Sequence, residues 1–164
     1  VGSASHLTME MLKTAAGLEI EHVAYKGSAP ATTDVVAGQV PTAFLIPANA
    51  LPHSKAGRLR VLASTGLTRA ASLPAIPTLN ESGFPGFESL GWIGLMVASG
   101  TPRAIVERYH REFTRILAIP DVREKLAGVD FDIVSSTPEA FGSYIRSEIT
   151  KWAPVIRQTG ARAE

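Results

Sequence analysis

One stretch of the chain whose residue types could bind an anion is a turn of Gly and Ser beside a lysine. Residues 25–30 read YKGSAP and lie between an apolar run at 18–23 and a predicted helix at 31–38. The first N–H groups of a helix lack intrahelical partners, and the helix dipole favours an anion there. The candidate anion-binding groups are the N–H groups of Gly27, Ser28 and Ala29, with the positive charge of Lys26 beside them.

The side chains of this turn suit the same purpose. Gly27 lacks the side chain that would keep a ligand from the backbone, and Ser28 can cap the helix. Pro30 fits the first helical turn because its missing N–H would have been unpaired anyway. The alternative is a well-capped turn that binds nothing, and the turn alone favours this alternative, since many such turns bind no ligand.

A second turn of the same kind precedes a predicted helix at 7–16, which ends at Gly17. Ser3 or Ser5 is a natural cap, and the small residues leave backbone donors open. Two helix starts of this composition raise the expectation of an anion site, which would include Ser3, Ser5 and His6.

Other reactive residue types form no recognisable constellation. No two of the four histidines are spaced i,i+4, and no HExxH motif occurs, so a structural role is favoured for all, least firmly for His6. No GxSxG surrounds a serine, and the chain has no cysteine. We therefore expect no catalysis, no metal ion and no cofactor.

Composition is that of one ordinary globular domain. The 164 residues are 45% hydrophobic and 19% charged, with a net charge of +1, which argues against nucleic acid as a partner. No apolar run approaches the roughly 18 residues of a membrane span.

Periodicity predicts an α/β protein with a mainly parallel sheet. Apolar or alternating runs predict strands at 18–23, 39–46, 58–65, 89–99 and 129–134. Helical spacing predicts further helices at 47–57, 102–118 and 120–127, and a last helix from 137 past 152 that Pro154 should kink. Residues 66–88, rich in Gly and Pro, read as a connection. Alternating strands and helices favour βαβ units.

Motifs in a fixed order along nearly the whole chain resemble those of a known family. They are GSxSH at 2–6, HVAYKGSAPA at 22–31, LPHSKAGRLR at 51–60, LPAIPT at 73–78, ESGFPGFE at 81–88, WIGL at 92–95 and GTP at 100–102. The series resembles the tripartite tricarboxylate transporter substrate-binding proteins, also called the Bug or TctC-like family.

The resemblance implies a type II periplasmic-binding-protein fold with two Venus-flytrap lobes. Residues 1–90 would form the second ligand-binding lobe, and 91–164 a hinge-crossing strand and the C-terminal part of the first lobe. It implies a periplasmic receptor that binds a small carboxylate and docks on membrane transporter subunits. Trp92 would lie at the crossing, where it either stacks on the ligand or fills the hinge.

Such receptors are about twice this length, so we expect the chain to be the C-terminal portion of one, without its secretory signal. The apolar faces of residues 95–164 would then lack partners, which predicts a homo-oligomer or a loosened C-terminal half. The alternative from another class is the ligand-binding effector domain of a LysR-type transcriptional regulator. A signal peptide upstream would favour the receptor, and a helix-turn-helix would favour the regulator.

Overall fold

The computed structural model describes residues 2–160, which form six helices. Residue 1 and residues 161–164, which belong to the two predicted lobes, lie outside the described part. The helices are α1 (Ala4–Ala16), α2 (Ser28–Val36), α3 (Pro47–Lys55), α4 (Arg103–Leu117), α5 (Pro120–Gly128) and α6 (Pro138–Thr159). Helix α2 packs on α3, and α4 packs on α5. Within residues 2–160 no helix is both long and apolar enough to cross a membrane.

Helix α1 ends at Gly17 as predicted, but it begins at Ala4, three residues before the predicted start at residue 7. Ser3 is the N-cap, and its Oγ accepts a hydrogen bond from the His6 N–H at 3.3 Å. Gly17 closes the helix in the left-handed conformation, at φ 62°, and its N–H bonds the carbonyl of Lys13. A residue with a Cβ is disfavoured at that angle, so glycine suits this position.

Helix α2 begins earlier than its sequence suggests, and the expected cap is wrong. Gly27 is the N-cap at φ 114°, no side chain caps the helix, and Ser28 is its first residue. Ser28 therefore cannot act as the N-cap. Pro30 lies in the first turn as predicted. Because φ 114° is rarely adopted by L residues, the backbone angle itself requires glycine here.

The long C-terminal helix passes through its proline. Helix α6 continues from Pro138 to Thr159 with Pro154 inside it, four residues after Thr150 and well before its end. Its start is capped by Thr137, whose Oγ1 accepts from the Ala140 N–H at 3.2 Å. The prediction of a helix that Thr137 opens and that runs through Trp152 is confirmed, and α6 continues to Thr159.

The predicted sheet is not formed as a set of ladders. Across the described residues the structure has no strand, and one isolated parallel bridge joins Ser64 to Thr78. An apolar run shows only that its residues suit a half-buried pleated surface. A strand also needs hydrogen bonds to the backbone of a neighbouring segment. The strand predictions at 18–23, 39–46, 58–65, 89–99 and 129–134 are thus unconfirmed.

Residues 64–89 are held by hydrogen bonds rather than by regular structure. The Ser64 N–H bonds the Pro77 carbonyl and the Leu79 N–H bonds the Ser64 carbonyl, each at 2.9 Å. The Ser89 N–H bonds the carbonyl of Thr65 at 2.9 Å. Backbone hydrogen bonds therefore hold both ends of the predicted connection at 66–88 in place.

A reciprocal cap stabilises the turn after Thr78, which is fully buried. The Thr78 Oγ1 accepts from the Glu81 N–H at 3.0 Å, and the Glu81 carboxylate accepts from the Thr78 N–H at 2.8 Å. This is a capping box without a helix behind it. Arg69 completes it by donating to both Glu81 oxygens.

The chain divides into two compact units. The first comprises residues 2–91 together with 153–160, and the second comprises 92–152. Helix α6 thus contributes its last turns to the first unit. The buried residues of the first unit are Thr8, Thr32, Thr78, Leu79, Phe87 and Ser89, and that of the second is Glu148.

Candidate functional site

The start of α1 presents exposed backbone donors, fewer than the sequence suggests. The His6 N–H is occupied by the Ser3 hydroxyl, so it is not open to a ligand. The N–H groups of Ala4 and Ser5 precede any intrahelical partner, and both residues are exposed. Ser3 acts as a cap, which leaves the Ser5 hydroxyl as the exposed side-chain donor of this turn.

The start of α2 is the more open of the two. Lys26, Gly27, Ser28 and Ala29 are all exposed, and no side chain bonds the helix start. Pro30 has no N–H, so the donors are those of Ser28 and Ala29, with Gly27 ahead of them. A single anion can be reached by these N–H groups and by the Lys26 ammonium, which is flexible and solvated.

Helix α2 is held to the turn by a tyrosine. The Tyr25 hydroxyl donates to the Asp34 carboxylate at 2.9 Å, across one side of the turn. Desolvation raises the pKa of the Tyr25 phenol, and the hydrogen bond to Asp34 and the charge of its carboxylate raise it further, so the phenol stays protonated as a donor. The bond ties the residue before Lys26 to the body of α2.

Two histidines meet at the start of α1. The rings of His6 and His22 stack with centroids 4.0 Å apart and an interplanar angle of 24°. His6 Nδ1 accepts a hydrogen bond from the Gly2 N–H at 3.1 Å, and the Glu10 carboxylate lies 3.9 Å from Nε2. The stacking therefore places His6, a predicted site residue, against the segment that leads into the turn at 25–30.

The charge state of His6 follows from this setting. Burial lowers its pKa below the ordinary value, and the neighbouring His22 lowers it further, while Glu10 acts in the opposite direction. The ring is therefore neutral near neutral pH. Within residues 2–160 no group of three or more His, Asp or Glu side chains is arranged to hold a metal ion.

Trp92 lies in the second unit, among aromatic rings. Its ring meets Phe141 at 5.5 Å and Tyr144 at 5.8 Å, edge to face in both cases, and is 38% exposed. Phe141 also packs over Gly94, where an added Cβ would lie 2.1 Å from Cζ of the ring. These contacts favour a packing role for Trp92 and leave part of its ring open.

Two open depressions lie in the first unit, away from the predicted residues. One, of about 520 Å³, is lined by Ser54, residues 59–62, Ile76 and Pro77. The other, of about 350 Å³, lies between the end of α1 and the end of α6. Neither includes a predicted site residue, so the candidate site is a pair of exposed turns and not a closed pocket.

Sequence reasoning missed one residue of this site, His22. His22 belongs to the predicted strand at 18–23, and a ring contact across 16 positions leaves no periodic pattern in the sequence. The only available signal was the presence of two histidines, each beside a Gly- and Ser-containing turn.

The chain is similar to a described protein family and to individual bacterial proteins. The sequence matches the family described as "Tripartite tricarboxylate transporter family receptor" over residues 1–161. It is 37% identical, over 95% of its length, to a protein encoded in the tcbD-tcbE intergenic region of Pseudomonas sp. strain P51, covering 47% of that protein. It is 34% identical to BugT of Bordetella pertussis, over 99% of the chain and 50% of BugT.

Solved structures give the same result for the fold. Rpa4515 of R. palustris, solved with adipate, superposes with a TM-score of 0.84 at 33% identity, over 97% of this chain and 53% of that one. MatC of Rhodopseudomonas palustris, solved with malate, gives 0.77 at 28% identity, over 94% and 54%. Periplasmic binding proteins thus share the fold of the chain.

The chain spans about half the length of these relatives. None of the comparisons supports a LysR-type regulator, and the family match runs through both units. The chain belongs to the tripartite tricarboxylate transporter receptor family.

Proposed function

We propose that the protein is part of a periplasmic receptor that captures a small dicarboxylate for a tripartite transporter. The observation that carries this is the family match over residues 1–161, since receptors with the same fold hold adipate and malate. The activity is binding and release, without catalysis. The transporter's membrane subunits are the proposed partners.

The proposed ligand contacts are the N–H groups of Ser5, Gly27, Ser28 and Ala29, the hydroxyls of Ser3, Ser5 and Ser28, and Lys26. Support comes from the two helix starts, whose donors are exposed and lack intrahelical partners. His6 takes part through its ring, because its N–H already bonds Ser3. Trp92 is a further proposed ligand contact, because part of its ring is exposed.

We also propose a type II two-lobed fold, mainly parallel in its sheet. Residues 1–90 belong to the second lobe, and residues 91–164 to the crossing strand and the C-terminal part of the first. In such a fold the two lobes close over the ligand and exclude water, which strengthens each hydrogen bond. A homo-oligomer stays a prediction, to be checked by light scattering of the purified chain.

Calorimetric titration of the chain with adipate and with malate tests the proposed function. Because the proposed contacts are exposed, we expect weak binding, with Kd of about 1 mM. Amide signals of Ser5, Ser28 and Ala29 should shift with the same midpoint. Absence of heat and of shifts with both dicarboxylates, at concentrations well above this Kd, would contradict the proposal.

A charge-matched pair of variants locates the site. Lys26→Gln removes the cation beside the α2 start and should weaken binding by about threefold to tenfold, the effect of losing one solvated charge contact. Lys55→Gln removes an equally exposed lysine at the far end of α3 and should leave Kd unchanged. Equal effects of both variants would show only a general charge effect.

A further inference from the structure

We propose that two copies of this chain pair through residues 92–97 of the second unit, which we call the open segment. The pairing is antiparallel and two-fold, so each copy offers the other the same segment. The inference goes beyond the proposed function, because it concerns neither of the two turns at the candidate site. It also assigns a surface to the homo-oligomer that the sequence predicts.

The backbone of the open segment has no internal partner. Residues 92–97 run without a turn or a bend. Within residues 2–160, none of their N–H or carbonyl groups forms a hydrogen bond with the protein. Bonds resume only on either side, where the Ser89 N–H donates to the Thr65 carbonyl and the Ala98 carbonyl accepts from the Thr101 N–H. Unpaired backbone of this length is a template for a strand of another chain.

The side chains of the open segment are apolar, and one of its faces is uncovered. Phe141 of α6 packs over Gly94 and against Trp92, which covers part of one face. Neighbouring side chains of an extended run point to opposite faces, so the odd-numbered residues form the other face. These residues are Ile93, Leu95 and Val97, which are exposed by 83%, 54% and 41%. Exposed apolar side chains on unpaired backbone favour association.

The charge pattern favours a second copy over a charged partner. No Asp, Glu, Lys or Arg occurs between Glu88 and Arg103, so the open segment has no charge with which to select an acidic or a basic protein. Two copies of it can lie side by side without like charges facing each other. In an antiparallel ladder the two strands exchange N–H and carbonyl bonds reciprocally, as two-fold symmetry requires.

The exposed area of the chain is sufficient for a stable dimer. The chain exposes 11424 Å², whereas a monomeric protein of 17.4 kDa exposes about 7,900 Å². The excess, about 3,500 Å², is several times the roughly 800 Å² that each partner buries in a standard interface. Most of the large apolar side chains that are exposed belong to the second unit. The surface available for pairing is therefore on the unit that contains the open segment.

Light scattering during size-exclusion chromatography of the chain measures the pairing. We expect twice the 17.4 kDa of one chain at about 100 μM, falling toward one chain on dilution below a Kd of about 10 μM. Ile93→Lys places a charge where a single copy exposes it and a pair buries it, so the Kd should rise by more than about tenfold. Leu62→Lys, at a position 65% exposed in the first unit, is the matched control and should leave the mass unchanged.

Cysteine cross-linking tests the antiparallel arrangement. The chain has no cysteine, so one introduced cysteine can form a disulfide only with another copy. Ile93→Cys, Leu95→Cys and Val97→Cys are oxidised singly and in mixed pairs. Cβ atoms must approach to about 4 Å for a disulfide, so in an antiparallel pair one combination should cross-link about tenfold faster than the others. Equal cross-linking of each variant with itself would mean a parallel stack and would overturn the two-fold pairing.

Amide exchange tests whether the backbone takes part. Exchange of residues 92–97 should be slower in the dimer than after dilution, and Ile93→Lys should abolish this difference. A single-chain mass at every concentration would overturn the proposal. So would a dimer that persists in Ile93→Lys with exchange at 92–97 independent of concentration, because the copies would then associate through another surface, such as the exposed apolar side of α4. Neither outcome affects the proposed function, which adipate and malate test separately.

Discussion

Each of the two units is stabilised internally by a different kind of contact. In the first, buried hydroxyls bridge distant residues: the Thr8 and Ser89 hydroxyls bond each other at 2.5 Å, and the Thr65 hydroxyl bonds the Ser89 carbonyl. In the second, rings pack on one another around Trp92 and Phe141. Irregular backbone leaves polar groups that need partners, whereas helices satisfy their own and need only covered faces.

The amphipathic helices of the second unit keep much apolar surface open. Along α4 the side chains of Ile105, Tyr109, Phe113 and Ile116 are each about two-fifths or more exposed. Polar residues occupy most of the remaining positions of α4, and Arg103 forms an ion pair with Glu107. Hydrogen bonds of buried hydroxyls thus characterise the first unit, and contacts between aromatic rings characterise the second.

The sharpest test of the ring packing is Gly94→Ala. The new methyl would overlap the Phe141 ring, which must leave its contact with Trp92. We expect a loss of about 1–3 kcal/mol in the free energy of unfolding, as for overpacked cores. Chemical denaturation measures it, and Gly91→Ala, which meets no atom within 4 Å, is the matched control. Equal stability of the two variants would contradict the packing account.

The hydroxyl bridge of the first unit is tested by Thr8→Val. The valine keeps the shape but leaves the buried Ser89 hydroxyl without its partner, which should cost about 1–2 kcal/mol. Thr33→Val, whose hydroxyl bonds a helix carbonyl at an exposed position, should cost less. If adding Ser89→Ala to Thr8→Val costs as much again, the two hydroxyls do not act as a pair.

The capping box predicts a pH dependence confined to the first unit. The Thr78 N–H, with Arg69 assisting, lowers the pKa of Glu81 below its ordinary value. A carboxyl with a depressed folded pKa stabilises the fold above its unfolded pKa, and the effect is lost as pH falls through the folded value. The protection factors of the amides of residues 64–89, which correct for the slower intrinsic exchange in acid, should therefore fall below about pH 4, and less so in Glu81→Gln. An identical acid response in that variant would assign the effect to other carboxyls.

The smallest effect is expected for a surface ion pair of the second unit. Lys125 and Asp121 meet at 2.9 Å but are 75% and 71% exposed. Asp121→Asn should change unfolding free energy by less than about 0.5 kcal/mol, because solvent and salt screen such pairs. A change above 1 kcal/mol, on the order of a buried hydrogen bond, would mean that charge and not ring packing specifies this unit.

Local signals were readable from the sequence, whereas distant ones were not. Ser3 and Gly17 bound α1 as predicted, because caps depend on neighbouring atoms. Ser28 was misassigned, since Gly27 adopts an angle that no pattern of side chains announces. The family followed from motif order, and the comparisons confirm it.

The site was only partly predictable for the same reason. The Gly- and Ser-containing turns before α1 and α2 follow from local composition, but the occupied His6 N–H and the His22 stack depend on three-dimensional placement. An apolar run such as 58–65 contains residues that favour a strand, but it does not show which segment of the chain would pair with that strand. Such partners are set by tertiary structure.

Both tryptophans of the chain, Trp92 and Trp152, fall in the second unit. Trp92 is partly open beside two rings, while the Trp152 indole donates to buried Glu148 at 3.0 Å with Lys151 over its face. Tryptophan emission from this protein therefore reports on residues 92–152. An optical melting curve would follow that unit and miss an earlier opening of the first, which needs a probe of its own, such as the phenol of Tyr25.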